Sequence, residues 1–188
     1  MELTYARYLK LDRLLELQEP QSSPPEHDET LFIIIHQVYE LWFKLLLHEF
    51  EKIARDFSSG DLFGAIATFK RVRMVLKTLV AQIDILETMT PMSFLAFRSR
   101  LETASGFQSE QFRELEFLLG YKRPGMLKYQ PGGSALHARL QNRLGERSLI
   151  DHFYDFLETR GVVIPAPLRG RDPALPNVPD PAIQDALL

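Results

Sequence analysis

The stretch His27–Glu49, HDETLFIIIHQVYELWFKLLLHE, decides the fold. It is too long and too continuously apolar for one strand and has the length of a buried helix. At 100° per residue, Gln37, Glu40, Lys44 and His48 fall on one narrow polar stripe, and apolar residues cover an arc of roughly 200°. A helix with so wide an apolar arc predicts the centre of a bundle. His36 lies on the seam of that arc, beside Phe32, Phe43 and Leu47.

Working outward, the reading stays helical. Leu3–Leu17 has the spacing of a short helix. Glu19–Thr30, with three prolines and two serines, reads as a loop, and Asp28 or Thr30 is the expected cap of the long helix. Ser58-Ser59-Gly60 ends it. Asp61–Met89 carries apolar residues at 3- and 4-residue spacing and predicts a second long helix. Thr90-Pro91 opens a third. Thr103–Phe107 interrupts, Gln108–Leu119 resumes, and Gly120 suits a C-cap. Gln130–Ser134 reads as a turn, followed by shorter helices over Ala135–Leu144 and Ser148–Thr159. No strand pattern and no repeat appear. The fold class is all-α, a bundle of long antiparallel helices in a single domain over residues 1–188. Val163–Pro181 holds six prolines, and Pro181–Leu188 reads as the start of a further helix.

Composition narrows the function classes. The 188 residues suffice for one core, with 45% hydrophobic and 25% charged residues and a net charge of −3. No block of like charge marks a nucleic-acid or anionic-membrane surface. There is no cysteine, which excludes disulfides, thiolate metal sites and cysteine nucleophiles. The N-terminus has no apolar signal core, and Leu31–Leu47 is at the lower limit for a membrane span and carries four polar residues. The expectation is a cytoplasmic protein without nucleic-acid or membrane partners.

Two places can carry chemistry. His36 is an imidazole on an apolar edge, read either as a hydrogen-bonded core histidine or as a working group. His36 and Glu40 share a helix face, but no Glu-x-x-His or His-Glu-x-x-His pair accompanies them, so no protein-only metal site is expected. Hydrolase and nucleotide-binding signatures are also missing. Arg98 shares a helix face with Phe94 and Leu101. It is read either as the partner of Glu102 at i+4 or as a clamp for a carboxylate. Ala104-Ser105-Gly106 then breaks the helix, either as an ordinary turn or as a polar-group site.

Taken together, TYARYLKLDRLLELQEPQS, HDETLFIIIHQVYELWFKLLLHE, LETMTP, FRSRLETASGFQSEQFRELEFLLG and, more loosely, SLIDHFYDFLETRGVVIP resemble the tryptophan 2,3-dioxygenase family, in order from about Thr4 to Pro165. The resemblance implies haem b as cofactor, L-tryptophan or a related indole and O2 as substrates, and N-formyl-L-kynurenine as product. It implies that His36 is the distal histidine beside the indole N–H and that Phe32 packs on the indole. It implies that Arg98 holds the substrate carboxylate and that Leu101, Ser105 and Gly106 line the haem side of the pocket. Tyr5 and Tyr8 match tyrosines that enter a neighbouring subunit's pocket, so a homotetramer exchanging residues 1–20 is implied. Phe94 stands where the family commonly has a tyrosine near the carboxylate.

The family pattern continues through helices bearing the proximal haem histidine and a Gly-Thr-Gly-Gly-Ser segment, neither of which this sequence contains. His137 and His152 are not assigned as the ligand. The expectation is therefore a chain matching the N-terminal two-thirds of the enzyme. The alternatives are a shortened relative that binds an indole without turnover, or a non-catalytic module that assembles with a full-length relative.

Overall fold

The computed structural model describes residues 2–129, 134–169, 179, 181 and 184. Among the described residues the chain is helical and has no strand, the all-α class read from the sequence. It forms two compact units, each made of two stretches: Met1–Leu41 with Thr78–Ala104, and Trp42–Lys77 with Ser105–Leu188.

In the first unit, two short helices, α1 (Tyr5–Leu9) and α2 (Leu11–Leu14), replace the single helix expected over Leu3–Leu17. Thr4 caps α1, and Lys10 breaks the run with φ 55° and ψ 41°, its N–H bonded to the Ala6 carbonyl. So short an isolated helix has little to resist such a stop. The long helix α3 (His27–Ser59) starts earlier than its expected caps. Asp28 and Thr30 lie inside its first turns, where Asp28 and Glu29 suit the positive end of the helix dipole. The start is fixed instead by Ser22, whose Oγ accepts from the Glu26 N–H at 2.8 Å. After α4 (Leu62–Leu86), α5 (Pro91–Arg98) begins as expected, with Pro91 in the first turn and Thr90 Oγ1 accepting from the Ser93 N–H at 3.1 Å. Ile35, Leu79 and Phe97 are buried in this unit.

The second unit takes α3 from Trp42 and α4 up to Lys77. It adds α6 (Glu110–Leu118), α7 (Ala135–Gly145), α8 (Leu149–Thr159) and α9 (Ala166–Arg169). Leu46, Ile53, Phe117 and Leu140 are almost fully buried, each worth about 1.5–3 kcal/mol by removal from water. Phe57 gathers Phe69, Phe153 and Phe156 within ring-centroid distances of 5.3–6.1 Å. Gly120 ends α6 at φ +100°, with the Tyr121 N–H reaching back to the Glu116 carbonyl at 2.8 Å; the left-handed turn explains the glycine. Residues 130–133, where a turn was expected, lie outside the described residues, as does most of the helix expected from Pro181. Pro181 and Gln184 are themselves helical.

In the first unit Tyr39 pairs with Leu79. In the second, Glu49 pairs with Arg71 and Phe57 with Phe69; residue numbers rise on α3 as they fall on α4, so these parts of the two long helices are antiparallel. A further expectation fails: α3 is not a buried helix. Most of its apolar stretch is exposed, and it is long and apolar enough to cross a membrane by length and composition. Ile34 and Leu41 are exposed. A helix of 33 residues outruns the 25 residues of α4 and the 8 to 11 of α5, α6 and α8, and part of its apolar arc stays exposed. Glu49, buried in the same helix and bonded twice to Arg71 at 2.8 and 2.9 Å, shows a face packed on protein.

Candidate functional site

The first unit brings three of the sequence-predicted residues, Phe32, His36 and Phe94, to one place. On α3, the rings of Phe32 and His36 lie one turn apart with centroids 4.1 Å from each other. From α5, Phe94 and Phe97 approach Phe32 at 5.7 and 5.5 Å, and meet each other edge-on at 5.5 Å. Phe97 is fully buried, Phe32 and Phe94 are half-buried, and His36 is exposed. The cluster is thus an aromatic wall with an imidazole at its open edge. Arg98, the last residue of α5, shares that helix with Phe94 one turn away.

A hydrogen bond fixes which ring nitrogen of His36 carries a proton in the neutral form. Its Nδ1 lies 2.7 Å from the Phe32 carbonyl oxygen. A carbonyl only accepts, so Nδ1 carries the proton, and in the neutral ring Nε2 is left as an acceptor. Of the two readings of His36, the structure therefore supports a bond to its own helix that also leaves one nitrogen available.

Arg98 is exposed, and its Nη1 donates to the Glu102 backbone carbonyl at 3.5 Å. The side-chain ion pair expected with Glu102 gives way to this weak contact, because α5 ends at Arg98 and the next residues form a tighter 3-10 turn, Ser99–Leu101. Glu102 follows at φ 47°, a left-handed conformation that costs a non-glycine residue energy. Leu101 is half-buried on that turn.

Ser105 and Gly106 belong to the second unit. Ser105 Oγ accepts from the Phe107 N–H at 3.3 Å, and the Ser105 N–H donates to Gln108 Oε1 at 3.2 Å. This reciprocal cap starts the 3-10 turn Gly106–Gln108. A Cβ on Gly106 would meet nothing within 4 Å, so no crowding inside the chain explains that glycine. Tyr5 and Tyr8 stand 75% and 70% exposed on α1.

Sequence reasoning missed Glu29 and Phe97. Phe97 is the ring that backs Phe32 and Phe94; its spacing of three from Phe94 was a usable signal. Glu29 is wholly buried. Its carboxylate accepts from the Gln21 N–H at 2.7 Å, from the Ser22 N–H at 3.0 Å and from the Ser22 hydroxyl. Burial pushes its pKa up. The Ser22 hydroxyl, the Gln21 and Ser22 amides and the Arg100 charge outweigh that and hold it below the usual value.

A cleft of about 660 Å³ lies elsewhere, in the second unit, lined among others by Arg55, Ser58, Arg143, Glu146 and His152. None of the predicted site residues lines it. Its central cation is spent: Arg143 is bonded to Glu51, Glu114 and Glu146 at 2.8 Å each. Among the described residues no cluster of three or more histidine or acidic side chains can hold a metal ion.

Comparison with known proteins gives one consistent result. The family model described as tryptophan 2,3-dioxygenase matches residues 1–150. A tryptophan 2,3-dioxygenase of Herpetosiphon aurantiacus is 52% identical over 186 residues, covering 99% of this chain and 71% of the relative. One from Anaeromyxobacter sp. is 48% identical over 190 residues, covering 99% and 69%. One from Nocardioides sp. is 54% identical over 166 residues, covering 85% and 62%.

Proposed function

Because this chain belongs to the tryptophan 2,3-dioxygenase family, we propose that it serves the oxidative opening of the indole ring of L-tryptophan. O2 cleaves the C2–C3 bond, and both oxygen atoms enter the product, N-formyl-L-kynurenine. The observation that carries the reading is the His36–Phe32 pair. An aromatic face and a ring nitrogen, Nε2, that accepts a hydrogen bond when the imidazole is neutral stand side by side. An indole stacked on Phe32 can donate its N1–H to that nitrogen.

Arg98 supports the same reading. With one weak contact at 3.5 Å, its guanidinium is available for bidentate pairing with the substrate carboxylate. Phe94 adds apolar surface beside it in place of a hydroxyl. Phe97 backs the wall and helps to exclude water from the ring face.

Haem b is the cofactor this reading requires. The aromatic wall and the single neutral nitrogen of His36 fit the substrate-facing side of a haem, where an apolar surface and one acceptor are wanted. Leu101, half-buried on the turn after Arg98, is the residue of this unit proposed to line its edge. When bound, haem iron supplies the oxygen-activating chemistry. This chain's residues bind and orient the indole, hold its proton at His36 Nε2 and shield it from water. The reading extends to a cytoplasmic homotetramer in which the exposed Tyr5 and Tyr8 meet a neighbouring copy's substrate.

The test is product formation. Haem-loaded protein given L-tryptophan and isotopically labelled O2 is expected to yield N-formyl-L-kynurenine carrying both labelled atoms. Arg98→Ala is expected to raise KM far more than it lowers kcat. Absence of product from haem-saturated protein overturns the proposal.

A further inference from the structure

The segment Leu17–Ser22, which follows α2, is strapped to α3 at two points. At the first, Gln18 Nε2 donates to Gln37 Oε1 at 2.6 Å and Gln37 Nε2 donates to the Leu17 carbonyl at 2.9 Å. Both polar atoms of Gln37 are used. At the second, the buried Glu29 carboxylate takes three hydrogen bonds from Gln21 and Ser22. Glu29 and Gln37 are eight residues apart on α3, about 12 Å at 1.5 Å per residue. Phe32 and His36 lie between the two anchors, and His36 immediately precedes Gln37. The strap therefore runs beside the part of α3 that carries the aromatic–imidazole pair.

We infer that Glu29 and Gln37 are positioning residues: by seating the strap Leu17–Ser22 on α3 they fix where the N-terminal segment bearing Tyr5 and Tyr8 is delivered to the substrate. The inference rests on the proposed function, in which those tyrosines meet the indole site of a neighbouring copy. Three features of the anchors argue for delivery of a defined segment and not for loop closure alone. The preceding α1 and α2 have no buried residue of their own, so contacts of their own do not fix their direction. The strap between them and α3 is pinned twice. At Glu29 every partner is a donor, so an amide in its place sets an N–H2 group against N–H and O–H donors.

The experiment combines exchange and binding on the full chain loaded with haem. Hydrogen–deuterium exchange reports peptides spanning residues 17–22, and calorimetry reports L-tryptophan affinity. Glu29→Gln and the milder Ser22→Ala and Gln37→Ala are compared with the parent, alone and in a Tyr5→Ala/Tyr8→Ala background. The expected result is at least tenfold faster exchange in the strap and roughly tenfold weaker L-tryptophan binding in the parent background. No further weakening is expected once both tyrosines are gone. That non-additivity separates delivery of the tyrosines from general destabilisation, which weakens binding equally in both backgrounds. Faster strap exchange with unchanged affinity, or equal losses in both backgrounds, overturns the inference. If the parent itself does not bind L-tryptophan, the proposed function fails, and the inference with it.

Discussion

Removing the Phe97 ring tests whether the site rests on a packed aromatic core. Phe97 is fully buried and touches Phe32 and Phe94 edge-on at 5.5 Å. Truncation to alanine loses the transfer energy of the ring and leaves a cavity, about 3–5 kcal/mol for buried phenylalanine. The two edge contacts, about 0.5–1.5 kcal/mol each beyond burial, place the expectation near ~4 kcal/mol. For a chain of this length each kcal/mol moves Tm by about 2–4 °C, so a drop on the order of 8–16 °C is expected. Urea unfolding followed by far-ultraviolet dichroism gives the free energy, and a thermal scan gives Tm. Phe97→Leu refills part of the space and is expected to recover more than half of the loss. Phe97→Ala costing less than about 1 kcal/mol is the refuting result, because it leaves no packed ring behind Phe32.

The other predictions follow from single contacts. Ser148 caps α8 by accepting from the Asp151 N–H at 3.3 Å and donating to Asp151 Oδ2 at 2.7 Å; Ser148→Ala is expected to cost about 1–2 kcal/mol in urea unfolding. Glu29 has a folded pKa below its ordinary 4.5, so its stabilisation is present above that value and is lost as pH falls through the folded value. The parent is therefore expected to lose stability more steeply than Glu29→Gln as pH falls below that ordinary value, read by urea midpoints at each pH. Phe94→Tyr returns a hydroxyl next to the proposed carboxylate site; one net hydrogen bond of about 0.5–1.5 kcal/mol tightens L-tryptophan binding by roughly 2- to 10-fold in calorimetry.

Much of this was legible in the chain itself. Periodicity carried α3 and α4, because 3.6-residue patterning over two dozen residues is hard to mistake. Thr90-Pro91 and Gly120 announced their helix ends because each supplies a specific backbone need: a preset φ and a left-handed turn. What failed was context. Lys10 breaks the first helix with a conformation that no residue type at that position announces. The start of α3 is set by Ser22, which accepts from the Glu26 N–H and pairs with Glu29, a contact four to seven residues along the chain that a reading of the residues next to the helix end does not see. The burial of α3 was overread, because a wide apolar arc tells which surface seeks cover and not which element supplies it. At the site, His36, Phe32, Phe94 and Arg98 were named from the sequence. The tautomer of His36, the backing by Phe97 and the strap on Glu29 and Gln37 needed coordinates.

The central claim, that His36 and the aromatic wall form the substrate side of a haem site, is tested most directly by one titration. Haem is added to the purified chain and the absorption spectrum is recorded with and without L-tryptophan, for the parent and for His36→Ala. The account predicts saturable one-to-one haem uptake, a spectrum shifted by L-tryptophan in the parent, and a much smaller shift in His36→Ala. Saturable uptake with a shift that is the same in both proteins, or no saturable uptake at all, contradicts it.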